Sequence, residues 1–234
     1  MPLARSTDRC TDNSYYQIYS RKDKHMKILF QGDSITDCGR RRDDEKNMGD
    51  GYPLLVKSEL GFDFPGKYEF YNKGISGNRI VDIYARIKND ILYLKPDVMS
   101  ILVGVNDVWH ELSPIPNGVD ADKYFKIYCM LIEEVKQALP DIKIMIMGPF
   151  ALNCPSRKDD WDYFSKEVPK RAQMAKKVAE KYGLVYIELQ SKFDEAVKEC
   201  PGEYWLADGV HPTPMGHELI KRQWIKAFKK LVKD

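Results

Sequence analysis

No stretch of this sequence is apolar for long enough to span a bilayer, and neither sign of charge prevails. Lysine and arginine number 37 against 35 aspartates and glutamates, leaving a net charge of +2. A polybasic nucleic-acid surface and an anionic-membrane anchor are therefore not expected. A basic-then-apolar leader is lacking as well. Cysteine is scarce. Cys10, Cys38, Cys129, Cys154 and Cys200 are odd in number, scattered and without a CxxC pair. That pattern argues against a zinc site or a disulfide framework and for free thiols in a reducing cytoplasm. Histidine is scarcer still, at four residues. Internal repeats and low-complexity tracts are missing too, which leaves out solenoids and arrays.

What is present is an ordinary globular composition, 43% hydrophobic and 31% charged over 234 residues. That length suits one sizeable α/β domain. Residues 1–25 have neither helical nor strand periodicity, so they are expected to be an appended or disordered leader before a single domain at 26–234. From Met26 onward, short apolar segments bounded by turn signals ("KILFQ", "KYEFYN", "DVMSILVGV", "IKIMIMGPF", "LVYIEL") alternate with helical ones. The helical segments are "YPLLVKSEL", "RIVDIYARIKNDILYL", "ADKYFKIYCMLIEEVKQAL", "EVPKRAQMAKKVAEKY" and "PMGHELIKRQWIKAFKKLV". Alternation of this kind predicts right-handed crossovers and a three-layer α/β/α sandwich with a central five-stranded parallel sheet, flavodoxin-like in outline. Ligands of such sheets bind beyond the carboxyl ends of the strands.

Four strand-end or loop motifs therefore carry the chemistry. After the first strand comes Gly32-Asp33-Ser34-Ile35-Thr36. Thr36 stands where a nucleophile elbow needs its second glycine, so Ser34 is either a helix N-terminal turn residue or a nucleophile of another kind. After the second comes "NKGISGN", whose Gly74 and Gly77 allow a sharp bend. Ser76 there is a rival hydroxyl, and Ser76 or Asn78 is the expected cap of a helix beginning near Arg79. The third strand ends in "GVNDVWH", where the Asn106 amide could donate to a developing oxyanion or serve turn chemistry. Near the end, "LADGVHPTPMGH" sets Asp208 three residues before His211, close enough to orient its imidazole.

Other residues have plainer readings. Asp33 and Asp107 are taken as loop acceptors, and the mixed-sign run from Arg40 to Glu45 as a solvated loop. Tyr124, Tyr128 and Met130 read as helix packing. His25, His110 and His217 are set aside. Trp109, three residues after Asn106, is a candidate wall for an acyl or sugar pocket, with Trp205 as a second candidate.

Taken in order, the four blocks resemble the SGNH hydrolases, also called the GDSL esterase and lipase superfamily, from about Met26 to the end. "GDSITDCGR", "NKGISGN", "KPDVMSILVGVNDVW" and "DGVHPTPMGH" are similar to the blocks of bacterial GDSL-type acetylxylan esterases and related carbohydrate deacetylases. The resemblance implies a catalytic triad of Ser34, Asp208 and His211. It further implies an oxyanion hole made by the backbone N–H groups of Ser34 and Gly77 with the Asn106 amide. It implies no metal or organic cofactor. The activity expected from it is a serine esterase that removes acetyl groups from O-acetylated sugars resembling xylo-oligosaccharides. Alternatives are a lysophospholipase or acyl-thioesterase of the same superfamily, or a non-catalytic carbohydrate-binding protein. The expected partner is a small acylated substrate, with neither nucleic acid nor membrane; a homo-oligomer is compatible with the sequence.

Overall fold

The computed structural model describes residues 25–232. The reading of residues 1–25 as a leader thus falls, His25 apart, outside the described residues. Five parallel strands form one sheet in the order β2-β1-β3-β4-β5. They are β1 (Met26–Gly32), β2 (Tyr68–Asn72), β3 (Val98–Leu102), β4 (Lys143–Met147) and β5 (Val185–Ile187). β3 is buried at every position, as expected of a central strand covered on both faces.

Helices cover the two faces separately. On one side, α2 (Tyr52–Asp63), α7 (Gln190–Ala196) and α9 (Pro214–Leu231) pack with Ile28, Phe30, Leu102, Met145 and Met147. Trp224 of α9 sits 5.2 Å from the Phe30 ring and stacks on Phe228 at 4.9 Å. Each such fully buried side chain contributes about 1.5–3 kcal/mol by its removal from water. On the other side, α3 (Ile80–Ala85) and α5 (Ala121–Ala138) pack with Leu29, Met99, Ile101, Ile144 and Ile146. Helix α6 (Trp161–Tyr182) joins that layer through Ala175, Val178 and Ala179, while its Phe164 and Val168 reach the first cluster. Tyr124 and Tyr128 are buried core residues, whereas Met130 is exposed.

Several boundaries differ from expectation. The segment expected as one helix from Arg79 becomes α3 followed by a π-helical turn at Lys88–Leu92. The break falls at Arg86, whose guanidinium turns inward and donates to Lys73 O at 2.7 Å and Gln31 Oε1 at 2.8 Å. Neither Ser76 nor Asn78 caps α3. Arg79 is the cap residue, its N–H held by Asp82 at 2.8 Å. α6 starts at Trp161, ahead of the expected Glu167, because the apolar spacing of Trp161, Phe164 and Val168 already follows a helical face. Pro169 is accommodated inside it. α7 had no counterpart in the sequence reading.

Candidate active site

β1 delivers its last residue to the first short helix, α1 (Ser34–Asp37). Asp33 caps that helix by accepting the Ile35 N–H at 3.0 Å, which leaves Ser34 as its first residue, half-buried at the strand end. Asp33 is fully buried, and burial pushes its carboxyl up to about 7. Its second oxygen has no partner among the described residues.

The second loop locks onto the first through Asn72. Its amide donates to Thr36 O at 2.7 Å and Met48 O at 2.8 Å, and its oxygen accepts the Gly74 N–H at 2.9 Å. Gly74 has to be glycine: a Cβ there would lie 2.4 Å from the Asp37 nitrogen. Ser76 gives both its N–H (2.9 Å) and its hydroxyl (3.1 Å) to Asp37 Oδ2. Gly77 follows with φ of +80°, the left-handed region glycine enters without strain.

The third loop opens the short helix α4 (Val105–Trp109). Asn106 donates from Nδ2 to Asn78 O at 3.1 Å, which ties the side chain to the second loop. Asp107 turns inward and accepts the Ile80 N–H at 3.1 and 3.2 Å, so it fastens the start of α3. Burial lifts this carboxyl to about 7 as well. Both aspartates therefore act as loop acceptors in the geometry, in line with their sequence reading.

The fourth loop lies between α8 (Gly202–Trp205) and α9. A bridge between Leu206 and Pro212 closes it, and the Leu152 N–H anchors Gly209 O at 2.9 Å. Asp208 Oδ1 accepts the backbone N–H groups of Val210 (3.0 Å) and His211 (2.8 Å). Its Oδ2 accepts the His211 Nδ1–H at 2.7 Å. Although burial works against its charge, these hydrogen bonds hold Asp208 well below the usual carboxylate range. The same bond from Asp208 raises His211 above its ordinary value, against partial burial. With Nδ1 donating to the carboxylate, Nε2 presents its lone pair to Ser34 Oγ at 3.0 Å. An imidazole so placed can take the hydroxyl proton.

Ser34, Gly77, Asn106, Trp109 and His211 share one cavity of about 370 Å³ with Ser76 and His110. Trp109 lies 5.9 Å from the His211 ring and packs edge-on against Phe164 at 5.7 Å, while the Arg157 guanidinium covers its face at 4.2 Å. Trp205 lies elsewhere, on a separate groove of about 850 Å³ beside Met215, Leu219 and Arg222. His110 enters the cavity although the sequence reading left it aside; its spacing of four from Asn106 on a helix is the signal that could have found it. His217, also set aside from the sequence, is a strut. It accepts the Tyr52 N–H on Nδ1 at 3.1 Å and has Nε2 3.3 Å from the Cys38 sulfur. Among the described residues, no group of three or more His, Cys, Asp or Glu side chains is placed to hold a metal ion, and no helix is long and apolar enough to cross a membrane.

An acetylxylan esterase of Geobacillus stearothermophilus is 32% identical over 210 residues, which span 86% of this chain and 92% of that protein. Crystal structures of the Geobacillus stearothermophilus acetylxylan esterase superpose with a TM-score of 0.76 at 31% identity, covering 86% of this chain and 93% of that one. Its solved forms include catalytic mutants in a serine, an aspartate and a histidine. A Parabacteroides merdae structure assigned as a GDSL-like lipase superposes with a TM-score of 0.83 at 36% identity, covering 88% of this chain and 96% of its own. The profile of the GDSL-like lipase/acylhydrolase family matches residues 30–219. From the family match over residues 30–219, the 32% identity to an acetylxylan esterase over most of both chains and the five-stranded parallel sheet, the chain belongs to the GDSL-like lipase/acylhydrolase family and is an esterase.

Proposed function

We propose that this esterase removes acetyl groups from O-acetylated carbohydrates of the xylo-oligosaccharide kind through an acyl-enzyme. The observation that carries the chemistry is the unbroken chain from Ser34 Oγ to His211 Nε2 (3.0 Å) and from His211 Nδ1 to Asp208 (2.7 Å). Ser34 Oγ attacks the ester carbonyl as its proton passes to His211 Nε2, and Asp208 stabilises the resulting imidazolium. The backbone N–H groups of Ser34 and Gly77 and the Asn106 amide receive the tetrahedral oxyanion. His211 then protonates the departing alcohol. A water molecule, deprotonated in turn by His211, attacks the acetyl group on Ser34, and acetate leaves with the serine regenerated.

The small acyl group and the sugar are supported by two things. Around the Ser34 hydroxyl the cavity is lined by short polar side chains, glycine, two histidines and one tryptophan. That lining suits an acetyl group and a hydroxyl-bearing sugar better than a long acyl chain. The similarity to an acetylxylan esterase over most of both chains points the same way. Free thiols at Cys38, Cys129, Cys154 and Cys200 support a reducing, cytoplasmic setting for small oligosaccharide substrates. The proposed partner is such a small acylated substrate alone, with no nucleic acid or membrane.

Measuring kcat/KM over 4-nitrophenyl esters of rising chain length, together with acetate release from acetylated xylo-oligosaccharides, tests the reading. The highest value is expected for acetyl, with a steep fall from butyryl to octanoyl. A long acyl channel would instead gain affinity at about 0.8 kcal/mol per buried CH₂. Preference for octanoyl esters with acetylated sugars left intact would turn the assignment to a lysophospholipase or thioesterase.

A further inference from the structure

We propose that His110 builds an alcohol-side subsite that accepts a hydrogen bond from a hydroxyl of a polyol or sugar leaving group; this rests on the proposed roles of Ser34 and His211. The argument begins with helical phase. Asn106, Trp109 and His110 fall at i, i+3 and i+4 along α4 and the 3₁₀ turn that continues it (His110–Leu112), and so occupy one face. All three line the cavity that holds Ser34 and His211. Asp107 and Val108, out of phase with them, are fully buried on the inner side. One helical turn rises about 5.4 Å, so the helix spans from the oxyanion side at Asn106 to a second position at His110.

Direction follows from the chemistry. His211 must hand its proton to the leaving oxygen, so the alcohol lies on the His211 side of the carbonyl. Trp109 is 5.9 Å from that ring and His110, the next residue, lines the same cavity, so we set the alcohol at this end of the helix. Here the Trp109 indole and the His110 imidazole line the cavity together.

The His110 ring is held in one tautomer. Its Nδ1 lies 3.1 Å from Asn117 Oδ1, an acceptor, so Nδ1 carries the proton and Nε2 keeps its lone pair. The turn around it is fixed as well. The His110 carbonyl accepts from the Ser113 hydroxyl at 3.0 Å and from the Asn117 N–H at 3.2 Å, and the Asn117 carbonyl is bound by Arg79. A hydroxyl on the leaving group can satisfy Nε2. An alcohol without one displaces water from the cavity and offers Nε2 no donor in its place, and discrimination arises from that difference.

Glycerol monoacetate and propyl acetate make the direct probe pair, since they differ in hydroxyls and share the acyl group. The intact protein should favour the glycerol ester in kcat/KM. His110→Leu should cut that preference about 5- to 10-fold, the size of one neutral hydrogen bond, with the change residing in KM for the glycerol ester. His110→Gln, which retains an acceptor, should restore part of it. Asn117→Ala keeps the imidazole but frees the tautomer, and should weaken the preference too, which covers a His110→Leu variant that folds poorly. No preference in the wild type, or equal losses on both esters in His110→Leu, overturns the subsite. A preference that depends on His110 while acetylated xylo-oligosaccharides remain untouched sinks the carbohydrate reading and leaves the subsite in place.

Discussion

The loop that carries His211 and the first turn of α9 that carries His217 lie six residues apart, and they make opposite uses of the same side chain. His211 is half-exposed, bound by a carboxylate and raised above its ordinary range. His217 is buried, has no carboxylate among its hydrogen-bond partners, and burial lowers it to about 4. Its Nδ1 accepts a backbone N–H, so it remains a neutral peg between α9, the start of α2 and Cys38. A Cβ on Gly51 would lie 2.9 Å from that ring, a measure of how closely it is enclosed. An imidazole becomes a base where a carboxylate and open space meet it, and a strut where neither does.

The sharpest way to break this contrast is by substitution at the proposed reacting pair, Ser34 and His211. Ser34→Ala and His211→Ala should each lower kcat by roughly 10³-fold or more with the fold retained, since neither side chain supports the core. Circular dichroism and thermal unfolding check the second half of that statement. Ser76→Ala, which loses its hydroxyl contact to Asp37, should cost less than about tenfold, because truncating one hydrogen bond removes about 1 kcal/mol. If Ser76→Ala were dead and Ser34→Ala active, the nucleophile would belong to the second loop.

Next in size is Asn106→Ala, with an expected fall of about 10²- to 10³-fold in kcat and little change in KM, because the role proposed for the amide is to bind the charged intermediate. A rise confined to KM would make Asn106 a ground-state binder.

The pH profile sharpens the comparison without changing the base. Protonated His211 cannot accept the Ser34 proton, so kcat/KM should rise with pH through the His211 titration. Because Asp208 stabilises the imidazolium, that acid limb should lie above the ordinary histidine value of about 6.5. Asp208→Asn removes the stabilising charge and should move the limb to lower pH while slowing turnover. An acid limb near 4 would instead match His217 and reverse the two roles.

The smallest effect on turnover is expected at His217 itself. His217→Ala leaves the buried Tyr52 N–H without its acceptor, a loss of about 1–3 kcal/mol in denaturant-induced unfolding. Turnover of the folded fraction should change less than tenfold. A collapse of kcat with unaltered stability would draw His217 into the chemistry.

By itself, the sequence determined the strands, their order of appearance and the four motifs. Short apolar segments between turn residues have few alternatives to a buried strand, and an Asp-x-x-His loop brings carboxylate and imidazole together locally. The interrupted helix after Arg79 was not legible, because its cause is distant: Arg86 donates to Lys73, Gln31 and Gly32 on another part of the chain. Nor was the cap of α3, where Asp82 holds Arg79 and Asp107 reaches across from the third loop. Only the tertiary structure decided which hydroxyl meets His211. The strand order places the ends of β2, β1 and β3 side by side, but the histidine loop follows β5 at the far edge. It reaches Ser34, 177 residues earlier, because Leu206 and Val210 are buried in the core and Leu152 pins Gly209. The same packing separated Trp109 from Trp205 and turned His110 into the cavity. Which side chains share a pocket depends on contacts between residues far apart in the chain, and local pattern carries no record of them.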